Sequence, residues 1–312
     1  MQVFQSLDEI EKPFNNAVIT IGNFDGVHVG HQALFSEVKK RARSIGGVAA
    51  AMTFEPHPLR FLKKNNPPPL ITLYEHKVEL IEEAGIEVLV CVPFNREFAE
   101  IEPGRFVEDI LIGRLGMKIM VVGPDYGFGR GREGTVEFLQ NLAKSQPFEV
   151  VVLPWIAVMG PDGERVSSTR IRYLLKNGEV AHAALLLGRP YHVRAVVVPG
   201  RKRGGAFLGF PTANIVLRDE ICPASGVYAV TATHNGRSYK GVANIGVAPT
   251  FGDGLFTVEV HLLEFSGDLY GQNITVDFIE RLRGEIRFDG VAALAAQIRA
   301  DIEHAKGLFA AP

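Results

Sequence analysis

The stretch GNFDGVHVGH, residues 22–31, decides how the first part of the chain folds. An apolar run at residues 17–22 precedes it and predicts a buried strand. An amphipathic stretch at residues 31–45 follows it and predicts a helix, because its apolar positions recur at helical spacing. The glycines between them let a ligand approach the backbone closely. The first N–H groups of the predicted helix attract phosphate, so this turn is a candidate phosphate site.

Short apolar runs alternate with amphipathic segments through the rest of the first half. Fully apolar strands separated by helices form parallel sheets that are covered on both faces, and right-handed crossovers make such a fold doubly wound. The sequence therefore predicts a doubly wound α/β domain, in which ligands bind at the carboxyl edge of the sheet. The other predicted strands are residues 48–54, 86–92, 118–123 and 149–155, and the other predicted helices are residues 74–84, 103–115 and 136–144.

The first half ends in two predicted helices, at residues 168–177 and 179–187. A Gly-Arg-Pro sequence at residues 188–190 then breaks the chain. We therefore predict two domains, residues 1–187 and residues 188–312.

The second half contains several β-rich runs with no helical pattern between them. Asn235-Gly236 joins two of these runs and is a strong hairpin signal. This pattern predicts a small antiparallel β-barrel or sandwich, of which we expect the barrel, followed by a C-terminal helix at residues 291–306. The predicted strands are residues 191–198, 226–234, 237–246, 256–265 and 272–282.

Composition makes several classes of protein poor candidates. The chain has 312 residues and a formal net charge of -2, so neither nucleic acid nor an acidic membrane surface is an expected partner. No apolar run approaches the roughly 20 residues that span a bilayer, and the N-terminus lacks the apolar region of a secretory signal. Cys91 and Cys222 form no disulfide or metal-binding pattern. We expect a cytoplasmic protein, and its oligomeric state stays open.

His28 and His31 are the chemically distinctive residues of the first turn. Their imidazoles can donate hydrogen bonds to phosphate oxygens, while the dinucleotide and P-loop glycine patterns are both absent. A two-histidine metal site is the alternative interpretation, but no third ligand of suitable type lies close in the sequence. The pattern therefore favours a phosphate site that uses histidines in place of lysine.

His28-Val29-Gly30-His31 resembles the H-x-G-H motif of a nucleotidyltransferase superfamily, whose members join a nucleotide α-phosphate to an acceptor and release pyrophosphate. Three further stretches narrow the resemblance: TFEPHP at residues 53–58, GPDYGFGRGREG at 123–134 and RVSSTRIR at 165–172. Together they resemble the bacterial bifunctional riboflavin kinase/FMN adenylyltransferases, also called FAD synthetases. The resemblance extends over residues 14–306 and implies flavin cofactor biosynthesis with riboflavin, FMN and ATP as substrates.

Adenylylation of FMN suits the residue types in the first half. The attacking phosphate of FMN is already anionic at neutral pH, so the reaction needs positioning and charge neutralisation rather than a base. The candidate catalytic residues are His28, His31, Ser168 (also a candidate helix N-cap) and Thr169. The candidate nucleotide-binding residues are Gly22, Asn23, Phe24, Asp25, Gly30, Asp125, Arg165 and Arg172, and the candidate flavin-binding residues are Phe54, His57 and Pro58.

A second phosphate site is predicted at GFPTAN, residues 209–214, after a glycine-rich basic run at 200–209. The backbone there, including Gly209, is expected to bind ATP. Thr212 and Asn214 are expected to supply the hard oxygen ligands that Mg²⁺ prefers. A solvated surface hairpin is the other interpretation of this run.

Riboflavin attacks ATP through a hydroxyl, which is a poor nucleophile and benefits from a base. Strand alternation places Glu259, His261 and Leu263 on one face and the neighbouring apolar residues on the other. Four stretches jointly resemble the riboflavin kinase module, and this resemblance makes Glu259 the candidate base. They are GFPTAN, NIGVAPTFG at 244–252, VEVHLLEF…GDLYG at 258–271 and FIERLRGEIRF at 278–288.

The chain departs from the family at two places. The glycine loop, residues 199–205, lacks the Gly-Asp pair that is common there, and Thr135 stands where an acidic residue is common. Two alternative functions also stay open. One is an H-x-G-H transferase with another acceptor, of the cytidylyl or pantetheine type. The other is a flavin-binding or nucleotide-binding regulator without catalytic activity.

Overall fold

The structure is a computed structural model that describes residues 1–62, 67–158, 163–199, 210–247 and 256–310. The chain divides into two compact units, Met1–Ser167 and Ser168–Pro312. This structural division falls before the two helices that the sequence prediction assigns to the first domain. The second of these helices packs against strands of the second unit, which explains the difference. The functional boundary at residues 187 and 188 stays a prediction.

A six-stranded parallel sheet lies at the centre of the first unit. Its strands are β1 (Gln2–Phe4), β2 (Ala17–Ile21), β3 (Ala49–Glu55), β4 (Val88–Pro93), β5 (Met117–Val122) and β6 (Glu149–Val152). Their order in the sheet is β1-β4-β3-β2-β5-β6. The central β2 pairs with β3 on one side and with β5 on the other, so the strand order reverses there. Ligands bind outside the carboxyl ends of strands at such a point.

Helices cover both faces of this sheet, as the doubly wound prediction requires. Phe35 of the first helix and Ile81 of the third are buried on one face. Phe106 and Leu139 are buried on the other face. The helices are α1 (Val29–Ser44), α2 (Pro58–Leu62), α3 (Tyr74–Glu83), α4 (Arg96–Ala99), α5 (Pro103–Arg105), which continues as a π-helix over Phe106–Arg114, and α6 (Val136–Leu142). Two short antiparallel pairs join Gly127–Phe128 to Gly134–Thr135 and Ala157–Val158 to Glu164–Arg165.

Three local features add to the sequence predictions. The three-residue β1 is too short to show a periodic pattern, and it was not predicted. α1 begins two residues before its predicted start, because His28 occupies its N-cap position. Thr135, which departs from the family pattern, caps α6: its Oγ1 accepts a hydrogen bond from the N–H of Phe138 at 3.1 Å.

The second unit contains α7 (Ser168–Lys176) and α8 (Val180–Leu187), followed by an antiparallel sheet. The strands are β7 (Tyr191–Val196), β8 (Ala213–Leu217), β9 (Gly226–His234), β10 (Arg237–Val247), β11 (Phe256–Leu262) and β12 (Asn273–Arg283). Their order is β7-β12-β9-β10-β11-β8. A backbone bridge between Val198 and Asn214 connects the two edges, so the sheet is a nearly closed barrel. β8 was not predicted as a strand, because its motif was interpreted as a phosphate loop.

The Asn235-Gly236 turn joins β9 and β10 as predicted. Its two residues have φ angles of 47° and 74°. Both values are positive, which is typical of the tight turns that match the twist of a hairpin. The predicted C-terminal helix is α9 (Val291–Ala310). Its Ile302 and Ala305 are buried against Ala229 and Val242 of the sheet.

Candidate active sites

The backbone of the turn between β2 and α1 is fixed by a hydrogen bond and by close packing. The N–H of Val27 donates to the carbonyl of Phe24 at 3.0 Å and closes a four-residue turn. Phe24 and Val27 have φ angles of 48° and 39°, values that non-glycine residues rarely adopt. Gly22 packs directly against the Phe24 ring, since a Cβ atom at Gly22 would lie 2.9 Å from that ring.

Asp25 lies beneath this turn and is only 3% exposed. Its Oδ1 accepts hydrogen bonds from the N–H of Ile71 at 2.9 Å and from the N–H of Thr72 at 3.1 Å. In the opposite direction, the Oγ1 of Thr72 accepts a hydrogen bond from the N–H of Gly26 at 3.1 Å. These three hydrogen bonds connect the turn to the segment before α3. Phe24 is also buried. Two predicted nucleotide-binding residues therefore lie inside the core beneath the turn.

His28 and His31 lie together at the N-terminus of α1. The Nδ1 of His28 accepts a hydrogen bond from the N–H of His31 at 3.3 Å, so this nitrogen carries no proton. The two imidazoles stack with their centroids 3.6 Å apart and their planes 16° apart. Gly30 leaves room for this arrangement, since a Cβ atom there would lie 3.2 Å from the His28 ring.

His31 is held as a neutral imidazole. Burial lowers its pKa well below the usual value, and the positive charge of Lys77, together with repulsion from His28 whenever that ring is protonated, lowers the pKa further. The buried Nδ1 of His31 has no hydrogen-bond partner among the residues that the structure describes. An anion beside this ring would favour its protonated form.

An aromatic cavity of about 330 Å³ lies at the carboxyl ends of β2 and β3. Its volume falls at the lower end of the range of about 300–1,000 Å³ that is typical of small-molecule sites. Five residues predicted from the sequence line it: Gly22, Asn23, Phe54, Pro58 and Asp125. Its aromatic side chains, whose neighbouring rings are 5.5 to 6.0 Å apart, are Phe54, Phe94, Phe98, Phe106, Tyr126 and Phe128.

Most of these aromatic residues were missed in the sequence analysis. The sequence offers two local signals: Phe94 and Phe98 are four residues apart, and Tyr126 and Phe128 stand in the GPDYGFGRGREG motif. His57 is not part of the cavity lining. It is buried, and its Nδ1 accepts a hydrogen bond from the N–H of Leu59 at 3.1 Å at the start of α2. Its role as a flavin-binding residue stays a prediction.

Asp125 and Arg165, two predicted nucleotide-binding residues, form an ion pair 2.7 Å long. The Arg165 guanidinium also stacks on the ring of Trp155, 3.1 Å from its centroid. The Asp125 and Arg165 side chains are 62% and 50% exposed. Because an exposed ion pair is weak, Arg165 can exchange the carboxylate for a phosphate at little cost.

Ser168, Thr169 and Arg172 lie within the first five residues of α7, in the second compact unit. Because α7 begins at Ser168, its N-cap position falls on Ser167, one residue earlier than predicted. The catalytic and nucleotide-binding roles of Ser168, Thr169 and Arg172 stay predictions.

Strand register aligns three polar residues in the barrel. β11 lies between β8 and β10, and its Glu259 pairs with Asn214 on one side and with Asn244 on the other. Paired residues of antiparallel strands project from the same face of the sheet, so Glu259 and Asn214 share a face. The Nδ2 of Asn214 lies 3.3 Å from the carbonyl oxygen and 3.5 Å from the Oγ1 of Thr212.

The alternation predicted along β11 is confirmed, since Val258 and Val260 are fully buried and Glu259 is exposed. Asn244 was not singled out in the sequence analysis, although the NIGVAPTFG motif begins with it. Gly209 and the rest of the predicted glycine loop from residue 200 onward lie outside the described residues.

In the described ranges, no group of three or more His, Cys, Asp or Glu side chains is arranged to hold a metal ion. Over the same part of the chain, every helix is too short or too polar to cross a bilayer.

The fold and the two sites define a class of protein. It has a nucleotidyltransferase-type α/β domain with an H-x-G-H motif at the start of its first helix, followed by an antiparallel barrel and a C-terminal helix.

Comparison with known proteins gives the family. The FAD synthetase model matches residues 10–170, and the riboflavin kinase model matches residues 187–309. A bifunctional riboflavin kinase/FMN adenylyltransferase of Pseudomonas fluorescens is 39% identical, over 99% of this chain and 98% of its own length. The enzyme of the same description from Bacillus subtilis is 38% identical, over 94% of this chain and 92% of its own length. The chain belongs to the family of bifunctional riboflavin kinase/FMN adenylyltransferases, enzymes of flavin cofactor biosynthesis.

A solved structure from Streptococcus pneumoniae, described as a macrolide-efflux protein, has the same fold over nearly its full length. Its TM-score is 0.86 at 33% identity, covering 97% of this chain and 98% of that chain. The riboflavin kinase match in the second half contradicts the alternative of an H-x-G-H transferase with another acceptor.

Proposed function

We propose that the barrel phosphorylates riboflavin to FMN and that the α/β unit transfers the adenylyl group of ATP to FMN with release of pyrophosphate. One observation carries this proposal. Gly22 and Asn23 line the aromatic cavity, and the same turn leads directly into the histidine pair at the N-terminus of α1. A flavin ring and a nucleotide phosphate therefore have sites on the two sides of one turn. We keep residues 1–187 and 188–312 as the two functional domains.

In the adenylylation step, a phosphate oxygen of FMN attacks the α-phosphorus of ATP, and the bond to pyrophosphate breaks. Negative charge develops on the leaving pyrophosphate. The N–H groups at the start of α1 and the protonated Nε2 of His28 are the proposed donors to this charge. His31, whose pKa is lowered by burial, is the second histidine proposed to donate to this charge. Arg165 leaves Asp125 and binds a phosphate.

We assign the aromatic cavity to the flavin ring, with Phe54 as a stacking residue and Pro58 at its edge. Offset and edge-to-face contacts between aromatic rings contribute about 0.5–1.5 kcal/mol each beyond area burial. Ser168, Thr169 and Arg172 are proposed to contact the nucleotide.

In the kinase step, Glu259 is the proposed base that removes the proton of the attacking riboflavin hydroxyl. Thr212 and Asn214 are the proposed Mg²⁺ ligands. Their side chains approach to 3.5 Å and carry hydroxyl and amide oxygens, which are suitable hard donors. The ion would neutralise charge on the ATP phosphates. A cytoplasmic location is part of the proposal, because both steps consume ATP.

Incubation with riboflavin, ATP and Mg²⁺, followed by chromatography, tests both steps. FMN is expected first and FAD second, with one pyrophosphate released for each FAD. When FMN replaces riboflavin, FAD is expected without a lag. Lack of FMN in the first reaction would contradict the kinase assignment, and lack of FAD in the second would contradict the adenylylation assignment. Tight flavin binding without any turnover would favour the regulator instead.

A further inference from the structure

The turn between β2 and α1 adopts a backbone that its own residues do not favour. Phe24 and Val27 have positive φ angles, and Phe24 is a bulky residue. Residues held in such conformations persist only where the surrounding structure determines them, and they concentrate at functional sites. Contacts with the surrounding structure must therefore hold this turn.

Asp25 and Thr72 hold this turn through a reciprocal clamp of hydrogen bonds. Asp25 accepts two backbone hydrogen bonds from Ile71 and Thr72, and Thr72 accepts one from Gly26. Both clamp residues are buried, at 3% and 6% exposure. Hydrogen bonds in a buried setting resist exchange with water, and a buried polar group that loses its partner is costly. The clamp thus fixes the central residues of the strained turn from one side.

We infer that Asp25 and Thr72 are positioning residues for adenylyl transfer and that neither contacts the nucleotide. This inference rests on the function proposed above. The clamped Gly26 stands two residues before His28, which caps α1 and bonds to the N–H of His31. A shift of the turn therefore moves the cap, the stacked histidines and the first N–H groups of α1 together. Since in-line transfer tolerates little displacement, loss of the clamp slows the reaction.

Thr72→Val tests this inference in the full-length protein, because it keeps the side-chain shape and removes the acceptor for Gly26. We expect kcat/KM for ATP in FAD formation from FMN to fall by about 10- to 100-fold. Thr72→Ser retains the oxygen and is expected to stay within about twofold of the wild type. FMN formation from riboflavin, measured in the same preparation, is expected to stay unchanged.

Ile86→Val is the matched control for lost stability. Ile86 is buried in the core on the same face of the sheet, just before the amino end of β4. It is expected to lower the melting temperature while leaving kcat/KM for FAD formation unchanged. If Thr72→Val behaves like Ile86→Val, the two clamp residues are merely structural and the inference is wrong.

A measurement without turnover separates this inference from the proposed function. ATP is expected to slow hydrogen exchange at the first amides of α1 in the wild type and in Thr72→Ser, and to slow it much less in Thr72→Val. An equal effect of ATP in all three proteins would contradict the inference that the clamp positions the start of α1. A wild-type protein that shows the ATP effect but makes no FAD would contradict the proposed function alone.

Discussion

The turn between β2 and α1 and the barrel residues Thr212, Asn214 and Glu259 are proposed to serve different chemical steps, and the two sites are built differently. In the first site, His28 and Asp25 are 6% and 3% exposed, and hydrogen bonds hold the turn between them. In the second, Glu259 is an exposed residue of its strand. A phosphate nucleophile needs no proton acceptor, so the first site can be a rigid set of donors. A hydroxyl nucleophile needs an accessible base, and an exposed strand position supplies one.

The difference between the two sites predicts the largest loss of activity when Glu259, the proposed base, is replaced. Glu259→Gln removes the proton acceptor but preserves shape, so FMN formation from riboflavin should slow by about 10²–10⁴-fold. FAD formation from added FMN should continue at close to the normal rate, and both rates come from chromatography of the same preparation. Equal loss of both activities would indicate misfolding. Unchanged riboflavin phosphorylation would contradict the assignment of Glu259 as the base.

The histidine pair should show the opposite selectivity. His28→Ala and His31→Ala each remove a proposed donor to the polyphosphate, so FAD formation should fall by about 10²–10³-fold. Riboflavin phosphorylation should be preserved, because the barrel is untouched. His182→Ala, at an imidazole of α8 distant in sequence from both motifs, is the control. If FMN formation falls in parallel with FAD formation, the two sites are not independent.

The burial of His31 should make the α/β unit sensitive to acid. The unfolded chain binds a proton at the ordinary histidine pKa of 6.5, while the folded protein does so only at lower pH. The free energy of unfolding is therefore highest above pH 6.5. Below pH 6.5 it falls as the pH decreases, by up to about 1.4 kcal/mol per pH unit. His31→Gln should reduce this slope in denaturant melts of the α/β unit. An unchanged slope would mean that another group titrates.

The smallest effect is expected at Tyr126, which lines the aromatic cavity. The buried hydroxyl of Tyr126 has no hydrogen-bond partner within the described ranges, and burial raises its pKa far above the usual value. Tyr126→Phe removes this unsatisfied group, so the free energy of unfolding should rise by ~1 kcal/mol. Chemical denaturation measures the change, with Tyr173→Phe, an exposed tyrosine, as control. A clear loss of stability would show that the hydroxyl has a partner.

Periodicity was sufficient to predict the doubly wound sheet and most of the barrel. It missed β1 and β8, because a three-residue strand shows no period and the motif around Asn214 was interpreted as a loop. Both strands form because a neighbouring strand offers them a free edge, which is a tertiary effect and not a local one.

The sites were predictable to different degrees for a similar reason. Motifs led to His28, His31, Asn214 and Glu259, because each lies in a short contiguous pattern. The aromatic side chains of the cavity lie between Phe54 and Phe128 in the sequence and come together only when the sheet forms. The inward direction of Asp25 depends on its hydrogen bonds to the segment before α3, which adjacent residues do not reveal.

The bridge at the barrel seam has a consequence for the evolution of the chain. The N–H of Val198 donates to the carbonyl of Asn214 at 2.8 Å, so the two residues that flank residues 199–213 are held together. The entropy of closing such a loop changes slowly with its length, by about 0.6 kcal/mol for each doubling. Residues can therefore be inserted, deleted or exchanged between these two anchors with little penalty to folding. The Pro199–Gly205 sequence, which departs from the family pattern and belongs to the loop predicted to bind ATP, lies between these two anchors.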